Sequence, residues 1–180
     1  RTGRESVWVG TYTGLLLVNP YTQTYEPVKD DILAQTKILC TVENNGKLWI
    51  GTPAGLAEWN MDTDTLHYRI SGSPVYCIIR VGTEFWVGTE GKGIFILDRD
   101  GRIQDTIDNS GGLTNNTVYG LVAEGRQVVA TTQNGMSIID RQTNRIRNYS
   151  RLDQLPASEF NHRAVFHAGD TVYLGTINGL

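Results

Sequence analysis

Trp86-Val87-Gly88-Thr89 follows the β-rich run Val75-Tyr76-Cys77-Ile78-Ile79-Arg80-Val81, and this pairing decides how the chain folds. The tetrad recurs as Trp8-Val9-Gly10-Thr11, as Trp49-Ile50-Gly51-Thr52, in degraded form as Val129-Ala130-Thr131-Thr132, and as Tyr173-Leu174-Gly175-Thr176. The closing threonines lie 41, 37, 43 and 44 residues apart. A period near forty built on short strands is that of a β-propeller blade.

Working outward from the third copy, 75–81 reads as a strand buried on both faces, and Gly82-Thr83 as a turn into 85–89. A turn at 90–93 leads into 94–98 and one at 98–101 leads into 102–107, giving four antiparallel strands a, b, c and d joined by hairpins. Strand a is expected again at 38–43, 118–124 and 162–168, and strand c at 15–19, 56–60 and 136–140. A glycine follows each tetrad at short range (Gly14, Gly55, Gly93, Gly135, Gly179), where a tight turn needs a residue that tolerates positive φ. The c–d turns open with Asn19, Asn60, Asp98 and Asp140, whose side chains can accept from backbone amides two residues on.

The fold expected is therefore all-β, a β-propeller of four-stranded antiparallel blades present as an incomplete arc of about four. Its blades are read at 7–28 (strands b–d), 37–70, 75–107 and 118–150, with a fifth starting at 161–180. Closed rings hide their strand edges, so the ends of an arc are expected to take remaining blades or a second copy of the chain. The opening Arg1-Thr2-Gly3-Arg4 has neither an initiator Met nor an apolar segment after it, and reads as the start of an excised or processed piece.

Composition narrows the function. With 39% hydrophobic and 19% charged residues the chain is globular, and a net charge of −3 without a basic stripe argues against nucleic-acid binding. Leu15-Leu16-Leu17-Val18 is far shorter than a membrane helix requires. Cys40 and Cys77 each sit nine residues before their Trp, in a column continued by Gly120 and Ala164. That column reads as a place for small residues where strands crowd rather than as a disulfide, because facing sheets lie about 10 Å apart.

Trp-Ile/Val-Gly-Thr, followed by Gly-Leu or Gly-Ile and a strand ending in Asn or Asp, resembles the two-component regulator propeller repeat. So do the approaches to strand a in Gly111-Gly112-Leu113-Thr114-Asn115-Asn116-Thr117-Val118-Tyr119 and in Leu152-Asp153-Gln154-Leu155-Pro156-Ala157-Ser158-Glu159-Phe160-Asn161. The fourth tetrad departs by losing Trp and Gly, and Lys92 is inserted before Gly93. The resemblance implies a periplasmic sensor region of a bacterial hybrid histidine kinase, often one responding to oligosaccharides. Kinase activity would reside in domains absent from this chain, so the chain itself is expected not to be an enzyme.

Alternating strand direction puts the d–a and b–c connections on one face, and long loops at 108–117 and 151–161 make that face the expected ligand rim. Ten residues before each tetrad stand Leu39, Tyr76, Tyr119 and Arg163; two tyrosines and an arginine can stack on and hydrogen-bond a sugar or an acidic ligand. With Asn116 and Glu159 from the loops, Tyr76, Tyr119 and Arg163 form the candidate ligand-binding set, set against plain blade-to-blade packing. No cofactor is expected. His67, His162 and His167 are too scattered for a metal, and Asp62-Thr63-Asp64 lacks the rest of a calcium loop. Asn115-Asn116-Thr117 and Asn148-Tyr149-Ser150 have the form of glycosylation sequons, relevant only in a eukaryotic secretory setting. The competing expectation is a protein-interaction scaffold that dimerises receptors without a small ligand.

Overall fold

A computed structural model describes residues 6–28, 30–169 and 171–179. The reading made on Arg1-Thr2-Gly3-Arg4 and the end of the fifth blade at Leu180 lie outside them. The fold is all-β: antiparallel sheets, within each of which every strand is bonded to the next in sequence. Two compact units divide the chain at Val75/Tyr76.

The first unit holds a three-stranded sheet, β1 (Val7–Gly10), β2 (Leu15–Asn19) and β3 (Thr24–Pro27). Beside it lies a four-stranded sheet, β4 (Cys40–Asn44), β5 (Lys47–Thr52), β6 (Gly55–Asn60) and β7 (Thr65–Ser71). Leu15, Leu33, Leu48, Ile50 and Ala57 are fully buried between them. Trp8 packs edge-on against Trp59, with ring centroids 5.6 Å apart. Leu33 folds into this core from the 29–37 loop, held there because the Leu15 amide donates to its carbonyl at 3.0 Å.

One polar group interrupts the pattern. Positions Leu17, Ile96 and Ile138 of the other c strands are apolar, but the second sheet carries Glu58 there, its side chain 3% exposed. Lys47 Nζ and Arg69 Nε each approach its carboxylate at 2.6 Å. Burial pushes the carboxyl up, yet the bonds and charges of Arg69 and Lys47 outweigh it and hold the group below its ordinary value.

The second unit carries two full four-stranded sheets and a two-stranded one. The first is β8 (Val75–Val81), β9 (Glu84–Thr89), β10 (Ile94–Leu97) and β11 (Ile103–Ile107). The next is β12 (Val118–Glu124), β13 (Gln127–Thr132), β14 (Met136–Asp140) and β15 (Arg145–Tyr149). After a turn of 3-10 helix at Arg151–Asp153, β16 (Phe160–Ala168) pairs with β17 (Thr171–Thr176). β16 begins two residues before the expected 162, and β4 two after the expected 38. Trp86, Ile94, Val118, Leu121, Val128 and Ile139 share the core between the two full sheets.

The tetrad's chemistry is now visible. Its aromatic fills the core, with Trp49 fully buried and Trp86 3% exposed. A Cβ on Gly88 would lie 2.5 Å from Cys77 Sγ and 2.9 Å from Val118 Cγ1, so only glycine lets the next strand a approach. Both cysteines stand in this crowded column as thiols, outside any disulfide. The closing threonine pins the b–c hairpin. Its hydroxyl donates to the following glycine's carbonyl in every repeat: Thr11 to Gly14 and Thr89 to Gly93 at 2.8 Å, Thr52 to Gly55 at 3.0 Å, Thr132 to Gly135 at 2.7 Å, and Thr176 to Gly179 at 2.9 Å. At the c–d turns, Asn19, Asn60, Asp98 and Asp140 accept from backbone amides as expected.

Candidate functional site

The first residues of each a strand stand where the d–a loops deliver the chain, and in the second unit three of them meet. Tyr76 is the second residue of β8, Tyr119 the second of β12, and His162 the third of β16. The Tyr119 and His162 rings stack at 4.1 Å between centroids, tilted by 38°. His162 meets Tyr76 edge-on at 4.5 Å, and the two tyrosines lie 5.8 Å apart. The imidazole thus sits between two phenol rings.

Counting back along the sequence put Arg163, not His162, in this column. β16 departs from a regular ladder: Phe160 pairs with Thr176, but the next partner pair is Val165 with Leu174, so extra residues bulge out between them. Within the bulge Arg163 adopts φ of 56°, a left-handed conformation uncommon for a side-chain-bearing residue and a mark of local strain. The bulge sets the His162 ring against the two tyrosines, while Arg163 Nε donates to the Tyr76 carbonyl at 3.4 Å. His162 is therefore the residue that regular spacing missed.

Two carboxylates border the rings. Tyr76 Oη donates to Glu90 Oε2 at 2.7 Å. Burial, then that bond and the Glu90 charge, push the Tyr76 phenol well above its ordinary value. Burial, then the charges of Glu159 and Glu90, push Tyr119 up as well. Both phenols stay protonated and can donate hydrogen bonds, and their surroundings are acidic on one side.

The remaining candidates hold loops in place. Asn116 Oδ1 accepts from the Asn109 amide at 2.7 Å and its carbonyl accepts from the Gly93 amide at 2.8 Å, so it closes the 108–117 loop against the b–c turn. Glu159 acts on Tyr119 through charge, while its carbonyl takes the Ile177 amide at 3.3 Å. The 108–117 loop is pinned further by a relay: Thr114 N donates to Ser137 Oγ, Ser137 Oγ to Asn148 Oδ1, and Asn148 Nδ2 to the Gly112 carbonyl. Both ends of the Asn148 amide are thus engaged, which makes that sequon a structural asparagine. The arrangement offers aromatic faces, phenol donors, carboxylate acceptors and a guanidinium on a rigid rim, a set able to bind a polar ligand.

No protein-family model matches the sequence, and no curated protein matches it. Solved structures do. The extracellular domain of the hybrid two-component system BT4673 from B. thetaiotaomicron matches 98% of this chain at TM-score 0.75 and 15% identity. That of the hybrid two-component system BT3049 from the same organism matches 97% at TM-score 0.60 and 20% identity. The computationally designed protein Ika8 matches 99% at TM-score 0.71 and 14% identity. The chain spans 28% of the BT4673 structure's length, 31% of BT3049's and 55% of Ika8's. Receptor domains and a designed protein share this backbone at such identities, so the likeness establishes the architecture: these sheets are β-propeller blades.

Proposed function

We propose that the chain is a ligand-sensing segment of an extracytoplasmic propeller in a two-component signalling receptor, with an oligosaccharide as the ligand. The observation that carries this reading is the Tyr76–Tyr119–His162 cluster, ringed by Glu90, Glu159 and Arg163 at the loop face. Aromatic faces stack on sugar C–H surfaces, and fixed donors and acceptors select hydroxyl patterns. The repeat motif's resemblance to two-component regulator propellers, together with a fold shared with extracellular domains of such systems, supports a periplasmic setting. Signalling output would come from domains outside this chain. Calorimetry against a panel of neutral and acidic oligosaccharides tests the proposal: saturable binding is expected, weakened by Tyr119→Ala by more than its loss of stability accounts for. Silence across the panel would sink it.

A second reading, a dimerisation scaffold, has its own observation. Phe166 and Tyr173 stand 66% and 46% exposed on the half-built β16–β17 sheet, their rings 6.3 Å apart, beside a cleft of about 520 Å3. Ala164 and Gly175 line that cleft as Cys77 and Gly88 line the place filled by Val118. A further blade or a second copy would cover it. Sedimentation of the wild type against Phe166→Ser distinguishes the two: a dimer lost in the variant favours the scaffold.

A further inference from the structure

In the second unit a cleft of about 320 Å3 opens between the outer strands of the two full sheets, built from β9–β11 on one side and β14–β15 on the other. Its floor is apolar, made by Trp86, Ile96, Ile107 and Ile146. Its charged lining is small and mixed: Arg141 against Glu84 and Asp105. A volume of this order suits a small molecule.

Arg141 is the unusual member. Its Nη2 donates to the Gly125 carbonyl at 2.9 Å, which fixes the guanidinium. No carboxylate among the described residues lies within ion-pair distance of it, so its positive charge at the cleft wall is left for a ligand. The two carboxylates keep free acceptor capacity. Glu84 Oε2 takes the Trp86 indole N–H at 3.2 Å, and Asp105 Oδ1 takes the Thr106 amide at 2.7 Å, leaving the second oxygen of each.

A simple monoacid would satisfy Arg141 but face two carboxylates. A simple amine would satisfy the carboxylates and leave the guanidinium without a counter-charge. We propose that the cleft binds a zwitterion with an apolar body, namely a free α-amino acid with a large aliphatic or aromatic side chain. Its carboxylate pairs with the Arg141 guanidinium, its ammonium lies toward Glu84 and Asp105, and its side chain covers the Trp86 and isoleucine floor. The site is separate from the aromatic cluster of the loop face and stands or falls without it.

The test is an isotope-labelled chain titrated with L-phenylalanine and L-leucine, read at the Trp86 indole N–H resonance. Saturable shifts are expected there. N-acetyl-phenylalanine and phenylalanine amide, each missing one charge, should bind about tenfold more weakly, as should L-phenylalanine to Arg141→Gln. Should that variant fail to fold, Asp105→Asn, at an exposed position, carries the comparison and should weaken phenylalanine about tenfold while leaving the amino-blocked analogue unchanged. An unmoved Trp86 resonance up to the solubility limit overturns the assignment, as does equal binding of the blocked analogues or saturation confined to loop-face residues.

Discussion

Gly120 and Thr131 oppose each other across β12 and β13, with the small residue on strand a and the larger one on strand b. The second sheet is built the other way round, with Cys40 opposite Gly51. The lost tetrad glycine of the fourth repeat is thus an exchange, not a decay: one side must be small, and this sheet chose the other side. A Cβ on Gly120 would lie 2.8 Å from Thr131 Oγ1 and would also meet Val165 of β16.

Gly120→Ala should cost about 1–3 kcal/mol by overpacking. Thr131→Ala in the same chain should recover part of this, with a coupling of about 0.5–3 kcal/mol in a double-mutant cycle read by urea unfolding. Strictly additive losses would show that the two positions do not share the space.

The hairpin threonines make a second prediction. Thr132 Oγ1 donates to Gly135, accepts from the Asn134 amide at 3.1 Å and lies 3.0 Å from Thr114 Oγ1. Thr132→Val keeps the shape and removes all three, so it should destabilise by about 1–3 kcal/mol. Thr132→Ser should restore most of the loss, and equal melting temperatures for Val and Ser would refute the hydrogen-bond account.

Acid should find the Glu58 cluster. The folded carboxyl sits below its ordinary 4.5, so the unfolded chain binds the proton first. The stability this contributes is present above pH 4.5 and is lost as pH falls through the lower folded value. Glu58→Gln should flatten that part of the pH–stability curve and lower stability at neutral pH by about 1–3 kcal/mol.

Alkali should find the aromatic cluster. Tyr76 and Tyr119 ionise above their ordinary 10.0 in the folded chain, so their contribution is intact below pH 10.0 and is lost as pH rises through the folded values. In a spectrophotometric titration two of the eight tyrosines should ionise late. Tyr76→Phe should remove one late group and lessen the alkaline loss of stability.

The blades were legible because their determinants recur at a fixed spacing. Thr and the turn Asn or Asp act within one repeat, while Gly and Trp pack against the next sheet, as Gly88 and Trp86 do beside Val118. The loop-face cluster was only half legible. Tyr76 and Tyr119 follow the spacing, but His162 is delivered by a bulge that breaks the count and gives Arg163 its positive φ. The buried Glu58 site was invisible because it joins neighbours across three strands, Lys47, Glu58 and Arg69, whose polar character looks like an ordinary solvated face. The amino-acid cleft escaped for a related reason: its two walls belong to different repeats.

Each threonine bond closes inside its own hairpin, so no blade depends on another for its sharpest turn. Such self-contained pieces can serve as interchangeable cassettes, and transplanting 85–97 into an unrelated array should carry its bend along intact. Diversity in recognition could then accumulate by shuffling whole hairpins, leaving the architecture beneath untouched.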